Sequence, residues 1–122
     1  MPQRRPALIL ALAFFLLPAV ASAQTWIQSW GALGTTPGLF QYPHSLAADA
    51  TGVYVGDTVN SRIQKFSANG SYLGTIGGPG SGNGQFDFVD GVALGPGSVL
   101  YASDVGHSRL QKFTTAGAFV AQ

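Results

Sequence analysis

The stretch Val53–Tyr72, VYVGDTVNSRIQKFSANGSY, returns 47 positions later as Leu100–Phe119, LYASDVGHSRLQKFTTAGAF. Laid one over the other, Tyr54 meets Tyr101, Asp57 meets Asp104, Arg62 meets Arg109, Phe66 meets Phe113 and Gly70 meets Gly117. Working outward, Trp26–Phe40, WIQSWGALGTTPGLF, lies over Tyr72–Phe86, YLGTIGGPGSGNGQF, at an offset of 46. Gly31 then falls on Gly77, Gly38 on Gly84 and Phe40 on Phe86. The offset changes by one residue within Gly95-Pro96-Gly97-Ser98, a turn, where an insertion leaves the neighbouring strands intact. Two copies with one length change placed in a turn are a duplication, one supersecondary unit per copy.

Each copy divides into four short runs. In the first they are Ser45–Ala48, Val53–Gly56, Arg62–Phe66 and Ser71–Ile76, separated by segments rich in Asp, Asn, Ser, Thr and Gly. Such residues favour turns, so the reading is all-β, with four antiparallel strands per repeat. Ile63 and Phe66 fall on opposite faces of one run. A sheet with one face in water would alternate cleanly, whereas a sheet sandwiched between neighbours buries apolar groups on both sides. Four strands per repeat of this length describe a β-propeller blade; a two-sheet sandwich is the alternative.

The N-terminus carries a different signal. Arg4 and Arg5 precede an apolar run from Ala7 to Leu17, Pro18 ends it, and Ala21-Ser22-Ala23 supplies small residues before Gln24. That order predicts a secretory signal peptide over residues 1–23, cleaved after Ala23, and a secreted or periplasmic protein. The run is short beside the ~20 apolar residues of a membrane span. Setting Arg4 and Arg5 aside leaves four basic and five acidic residues, a net charge of −1. The four basic residues sit in two matched places, Arg62/Lys65 and Arg109/Lys112. No basic stripe exists to follow a phosphate backbone, so nucleic acid is not an expected partner. There is no cysteine, so packing and hydrogen bonds must hold the fold.

The segments GQFDFVDGVAL and GVYVGDTVNSRIQKFSANG resemble the NHL repeat family, whose members read Gly-x-Phe-x-x-Pro-x-Gly-Val-Ala and then Val-Tyr-Val-Ala-Asp-x-x-Asn-x-Arg-Ile-Gln-x-Phe. The first copy carries Phe40, Pro43, Ala47, Tyr54, Asp57, Asn60, Arg62, Gln64, Phe66 and Gly70 of that pattern. The second keeps most of it but has Val89 for the Pro, Gly95 for the Asp and His107 for the Asn. The resemblance implies two blades of a larger, six-bladed-type ring. Residues 24–37 would form an outer strand, Trp26–Gly31, and an interblade loop; residues 38–83 a first blade; residues 84–122 a second, incomplete one. Two blades leave two apolar faces uncovered against the ~4–8 blades of closed rings. The expectation is a piece of a longer ring. Several two-blade chains closing one ring are the alternative, and a lone monomer would leave both faces in water.

The resemblance implies protein binding, RNA binding, extracellular sensing or a few lyase activities, and a scaffold does not select among them. Asp57 and Asp104, with Arg62 and Arg109 five positions on, read as repeat-structural groups, each carboxylate capping its turn and each Arg tying loops; Asn60 belongs with them. Lining a binding face is their functional alternative. His44 and Asp90 occupy one repeat position, just before the innermost strand, which in a propeller opens on the central channel. They are the candidate binding residues, or polar groups facing channel water. A channel Zn or Ca would need ligands from further blades, and no cofactor is assigned. Tyr42, Phe88 and Tyr54 are candidate aromatic contacts, with Tyr54 and Tyr101 better suited to packing. Trp30 falls in the register of Ile76, a core slot.

Gly77–Gly84, GGPGSGNG, lacks the following Lys-Ser/Thr and strand-to-helix setting of a phosphate loop, and reads as the link between blades. No G-x-S-x-G or H-E-x-x-H occurs. The function expected is an exported binding or sensing scaffold for a protein, glycan or small molecule. Part of a propeller lyase or lactonase with a channel metal is the alternative.

Overall fold

The computed structural model describes residues 26–122; the expected signal peptide lies outside them. Among these residues there are eight strands and no helix. Strands β1 (Pro43–Asp49), β2 (Gly52–Asp57), β3 (Arg62–Phe66) and β4 (Tyr72–Ile76) form one antiparallel sheet in sequence order. Strands β5 (Val89–Gly95), β6 (Val99–Asp104), β7 (Arg109–Thr114) and β8 (Phe119–Ala121) form a second of the same order. The expected runs match β1–β4 to within two residues at each end.

Local chemistry sets the connections. Between β1 and β2, the Asp49 carboxylate accepts from the Thr51 N–H and hydroxyl, both at 2.7 Å, which closes a tight turn. The β5–β6 turn holds the inserted residue, and Gly97 and Ser98 there take left-handed backbone. Between β3 and β4, Gly70 N–H donates to the Ser67 carbonyl at a φ of 83°, a conformation that glycine adopts without steric cost. Gly117 repeats this against Thr114.

The core lies between the sheets. Tyr54, Ile63 and Ile76 from the first pack with Val89, Leu100, Ala102 and Phe113 from the second and Phe86 from the linking loop. Polar contacts cross the same join, including Lys65 Nζ to the Thr115 carbonyl and the His44–Asp90 pair. Thr58 Oγ1 donates to the Val89 carbonyl (2.6 Å), Phe88 N–H donates to Ser61 Oγ (3.3 Å), and Tyr54 OH donates to the Thr115 carbonyl (3.3 Å).

One expected element is corrected. The outer strand at Trp26–Gly31 is absent: residues 26–32 join no ladder. A fourth strand takes its hydrogen bonds from the third strand of its own sheet, and no such neighbour lies beside this segment among the described residues. Trp30 still stacks on Phe66 (6.3 Å between ring centroids) and sits over Gly70, as Ile76 sits over Gly117. Trp30 nevertheless stays 38% exposed where Ile76 is 4% exposed, so the expected core slot is not filled among the described residues.

Candidate functional site

Two kinds of cluster recur in the sheets, one buried and one open. The buried kind centres on Asp57, whose side chain is wholly inaccessible. Its Oδ1 accepts the Gln41 N–H (2.7 Å), and its Oδ2 accepts from Asn60 Nδ2 (2.8 Å), Arg62 Nε (2.8 Å) and Gln64 Nε2 (3.0 Å). Arg62 extends the network to the Thr36 and Leu39 carbonyls. Asp104 repeats it with the Asp87 N–H (2.8 Å), His107 (3.0 Å), Arg109 (2.8 Å) and Gln111 (3.4 Å). His107 therefore does what Asn60 does. Burial pushes the Asp104 carboxyl up, but the Asp87 N–H, Arg109 and His107 outweigh it and hold the group below its ordinary value.

The repeat-structural reading of Asp57, Asn60, Arg62, Asp104 and Arg109 fits this geometry, with one correction. Each carboxylate binds an N–H of the incoming loop, 16 or 17 residues upstream, rather than capping the turn that follows it. Those turns close by their own backbone bonds, Ser61 N–H to Thr58 and Ser108 N–H to Val105.

Two partners in these networks were not anticipated. Gln64 and Gln111 are wholly buried, and each amide is used on both sides. Gln64 Oε1 accepts the Gly38 N–H and Nε2 donates to the Leu39 carbonyl; Gln111 does the same with Gly84 and Gln85. A buried amide is tolerable only when so satisfied. The signal was present, as an uncharged polar residue kept in both RIQKF and RLQKF on strands that bury both faces.

A second unanticipated feature joins the first two strands of each sheet. Ser45 on β1 faces Gly56 on β2, and Ser45 Oγ is buried without a partner. In the second sheet the pair is reversed, with Gly91 on β5 donating its N–H to Ser103 Oγ on β6 (2.7 Å). A Cβ at Gly56 would stand 2.6 Å from Ser45 Oγ, so a single side chain fits at the crossing.

The open cluster lies where the chain enters β1 and β5. His44 Nδ1 and Asp90 Oδ1 are 2.9 Å apart, and both side chains are more than half exposed. Sequence spacing placed them at one repeat position, and the packing of β1 beside β5 brings them into contact. Beside them, Tyr42 and Phe88 are exposed and adopt left-handed backbone, with φ of 53° and 63°. A bulky residue there is an outlier, costing ~1–3 kcal/mol, and such strain collects at functional positions. The Tyr42 carbonyl accepts from Thr58 N–H and the Phe88 carbonyl from Val105 N–H, which ties each segment's backbone to the turn after β2 or β6. Tyr54, by contrast, is buried between the sheets and is unavailable to a ligand.

His44 and Asp90 offer two donor groups to a metal, and they are bonded to one another. No group of three or more His, Cys, Asp or Glu gathers among the described residues. A zinc site takes three or four protein ligands, so these two alone do not make one.

Residues 40–66 match the family model described as NHL repeat. The matched stretch runs from Phe40 to Phe66 and holds β1 to β3, His44, and Asp57 with Gln41, Asn60, Arg62 and Gln64. Among solved structures the chain is similar to a "Putative exported protein" from Bacteroides fragilis, with a TM-score of 0.64 and 20% identity. The likeness covers 76% of this chain and 27% of that one, so the chain spans well under half of its length. At that identity the likeness speaks for the fold. No curated protein matches.

Proposed function

Because residues 40–66 match an NHL repeat, we propose that the protein is an exported β-propeller scaffold that binds its ligand at the His44–Asp90 end of the sheets. The sheets are then two neighbouring blades of a ring, a reading supported by the four-strand repeat and by apolar residues on both faces of each sheet. Export rests on the order Arg4-Arg5, Ala7–Leu17, Ala21-Ser22-Ala23, with support from the exported description of the Bacteroides fragilis neighbour. N-terminal sequencing of the protein recovered outside the cytoplasm tests it, with Gln24 the expected first residue.

One observation carries the binding site: two exposed aromatic residues, Tyr42 and Phe88, stand in strained backbone two positions before a paired imidazole and carboxylate. Aromatic faces with a few fixed polar groups suit a ligand that has an apolar face edged with hydroxyls, and a glycan is the class that meets this description. A glycan array probed with the wild-type chain and with Y42A/F88A tests the reading. Retention lost in the double variant is expected. No retention, or retention that survives the double variant, would overturn it.

A further inference from the structure

The buried join between the sheets has two sides, and the repeat supplies a second set of each. On the β1–β4 side the join uses Tyr54 and Ile63. Their counterparts 47 positions on, Tyr101 and Leu110, lie on the open face of the second sheet, 40% and 66% exposed. On the β5–β8 side the join uses Val92, Leu94, Leu100 and Ala102. Their counterparts Leu46, Ala48, Val53 and Val55 line a depression on the open face of the first sheet, rimmed by Trp30, with Leu46 69% exposed. From these matched faces we infer that the two open faces are halves of one head-to-tail interface, and that its occupant is a second copy of this chain.

Size and charge both favour this occupant. Val92, Leu94, Leu100 and Ala102 together differ from Leu46, Ala48, Val53 and Val55 by a single methylene, although every position changes. A volume-conserving exchange of this kind is the sort that packing tolerates best. At the rim, His44 of the first sheet meets Asp90 of the second. A second copy set against Tyr101 and Leu110 brings its own His44 to the Asp90 of the first, so each new join again pairs one imidazole with one carboxylate. Had both repeats carried the same residue, each join would pair like with like. Ser108 stands where Ser61 does and can accept the N–H of the second copy's Tyr42, as Ser61 accepts that of Phe88. Val105 replaces Thr58, so the hydrogen bond to the Val89 carbonyl has no counterpart. The join between copies is therefore weaker than the one within a copy.

A head-to-tail interface uses different patches on the two partners and either closes into a ring or runs on as a filament. This inference does not rest on the ligand reading, and its test reads mass rather than binding. The whole chain, L46D and L110D are each purified and measured by native mass spectrometry and sedimentation, with far-UV circular dichroism to confirm folding. Both positions are exposed within one copy, so both variants should fold and stay monomeric while the wild type forms multiples. Mixing them should yield a 1:1 pair and nothing larger, because L46D keeps the Tyr101/Leu110 face and L110D keeps the Leu46 face. H44D should weaken association several-fold, and H44D/D90H should restore it. A wild type monomeric up to its solubility limit, a mixture that stays monomeric, or either single variant that still self-associates would overturn the inference.

Discussion

Tyr54 and Tyr101 hold the same place in their sheets, yet Tyr54 is completely buried and Tyr101 is 40% exposed. The difference lies in what stands opposite. Tyr54 meets the second sheet and bonds Thr51 and the Thr115 carbonyl, whereas Tyr101 stands against Gly95 and Lys112 of its own sheet. Removing a buried aromatic side chain costs ~3–5 kcal/mol. Tyr54→Ala should therefore lower the urea midpoint sharply, while Tyr101→Ala should change monomer stability by under ~1 kcal/mol. Equal losses at the two positions would contradict the assignment of the core.

The Asp57 network makes a second expectation. Asp57→Ala leaves Arg62 without its carboxylate and the Gln41 N–H without an acceptor. Breaking a buried pair from one side costs ~3–5 kcal/mol. Urea unfolding should show a loss of that order, whereas His107→Asn, which copies Asn60, should be neutral to within ~0.5 kcal/mol.

The crossed serines allow a double-mutant cycle. Gly56→Ser places a side chain against Ser45 Oγ and should destabilise by ~1–3 kcal/mol through overpacking. Adding Ser45→Gly recreates the arrangement of Gly91 and Ser103 and should recover most of that loss. Additive effects in the cycle would show that the two positions do not share one space.

Acid should destabilise the protein through Asp104. Its carboxyl lies below the ordinary value of 3.8 in the folded protein, so the unfolded chain takes up the proton first as pH falls. The stabilisation is whole above about pH 4 and is lost as pH drops through the folded-state value. Asp104→Asn should flatten the stability curve below pH 4. Asp49, lowered by the Thr51 hydroxyl and N–H, should retain part of the slope in that variant. An unchanged slope would remove Asp104 from the account.

Strain and binding should separate at Tyr42. Tyr42→Gly relieves a left-handed conformation and should stabilise the fold by about 1 kcal/mol in thermal melts. The same change removes a ring from the proposed ligand face and should weaken glycan retention. A variant both less stable and still binding would count against the ring's proposed role.

By itself, the sequence determined the strands, the duplication and the pairing of repeat positions. These follow from local chemistry: turn residues at Asp49, Gly70 and Gly97, and apolar groups such as Ile63 and Phe66 on both faces of one strand. It also identified the NHL-like pattern that the match over residues 40–66 bears out. Tertiary structure alone decided what each repeated residue meets. Asp57 reaches Gln41 because the incoming loop passes over the strand end, which a turn-by-turn reading of the chain does not register. His44 reaches Asp90 because two sheets stack, and Trp26–Gly31 is no strand because a ladder needs a neighbour. Identical side chains at equivalent positions, such as Tyr54 and Tyr101, part ways because burial depends on the opposing surface, and that surface is a property of the assembled fold.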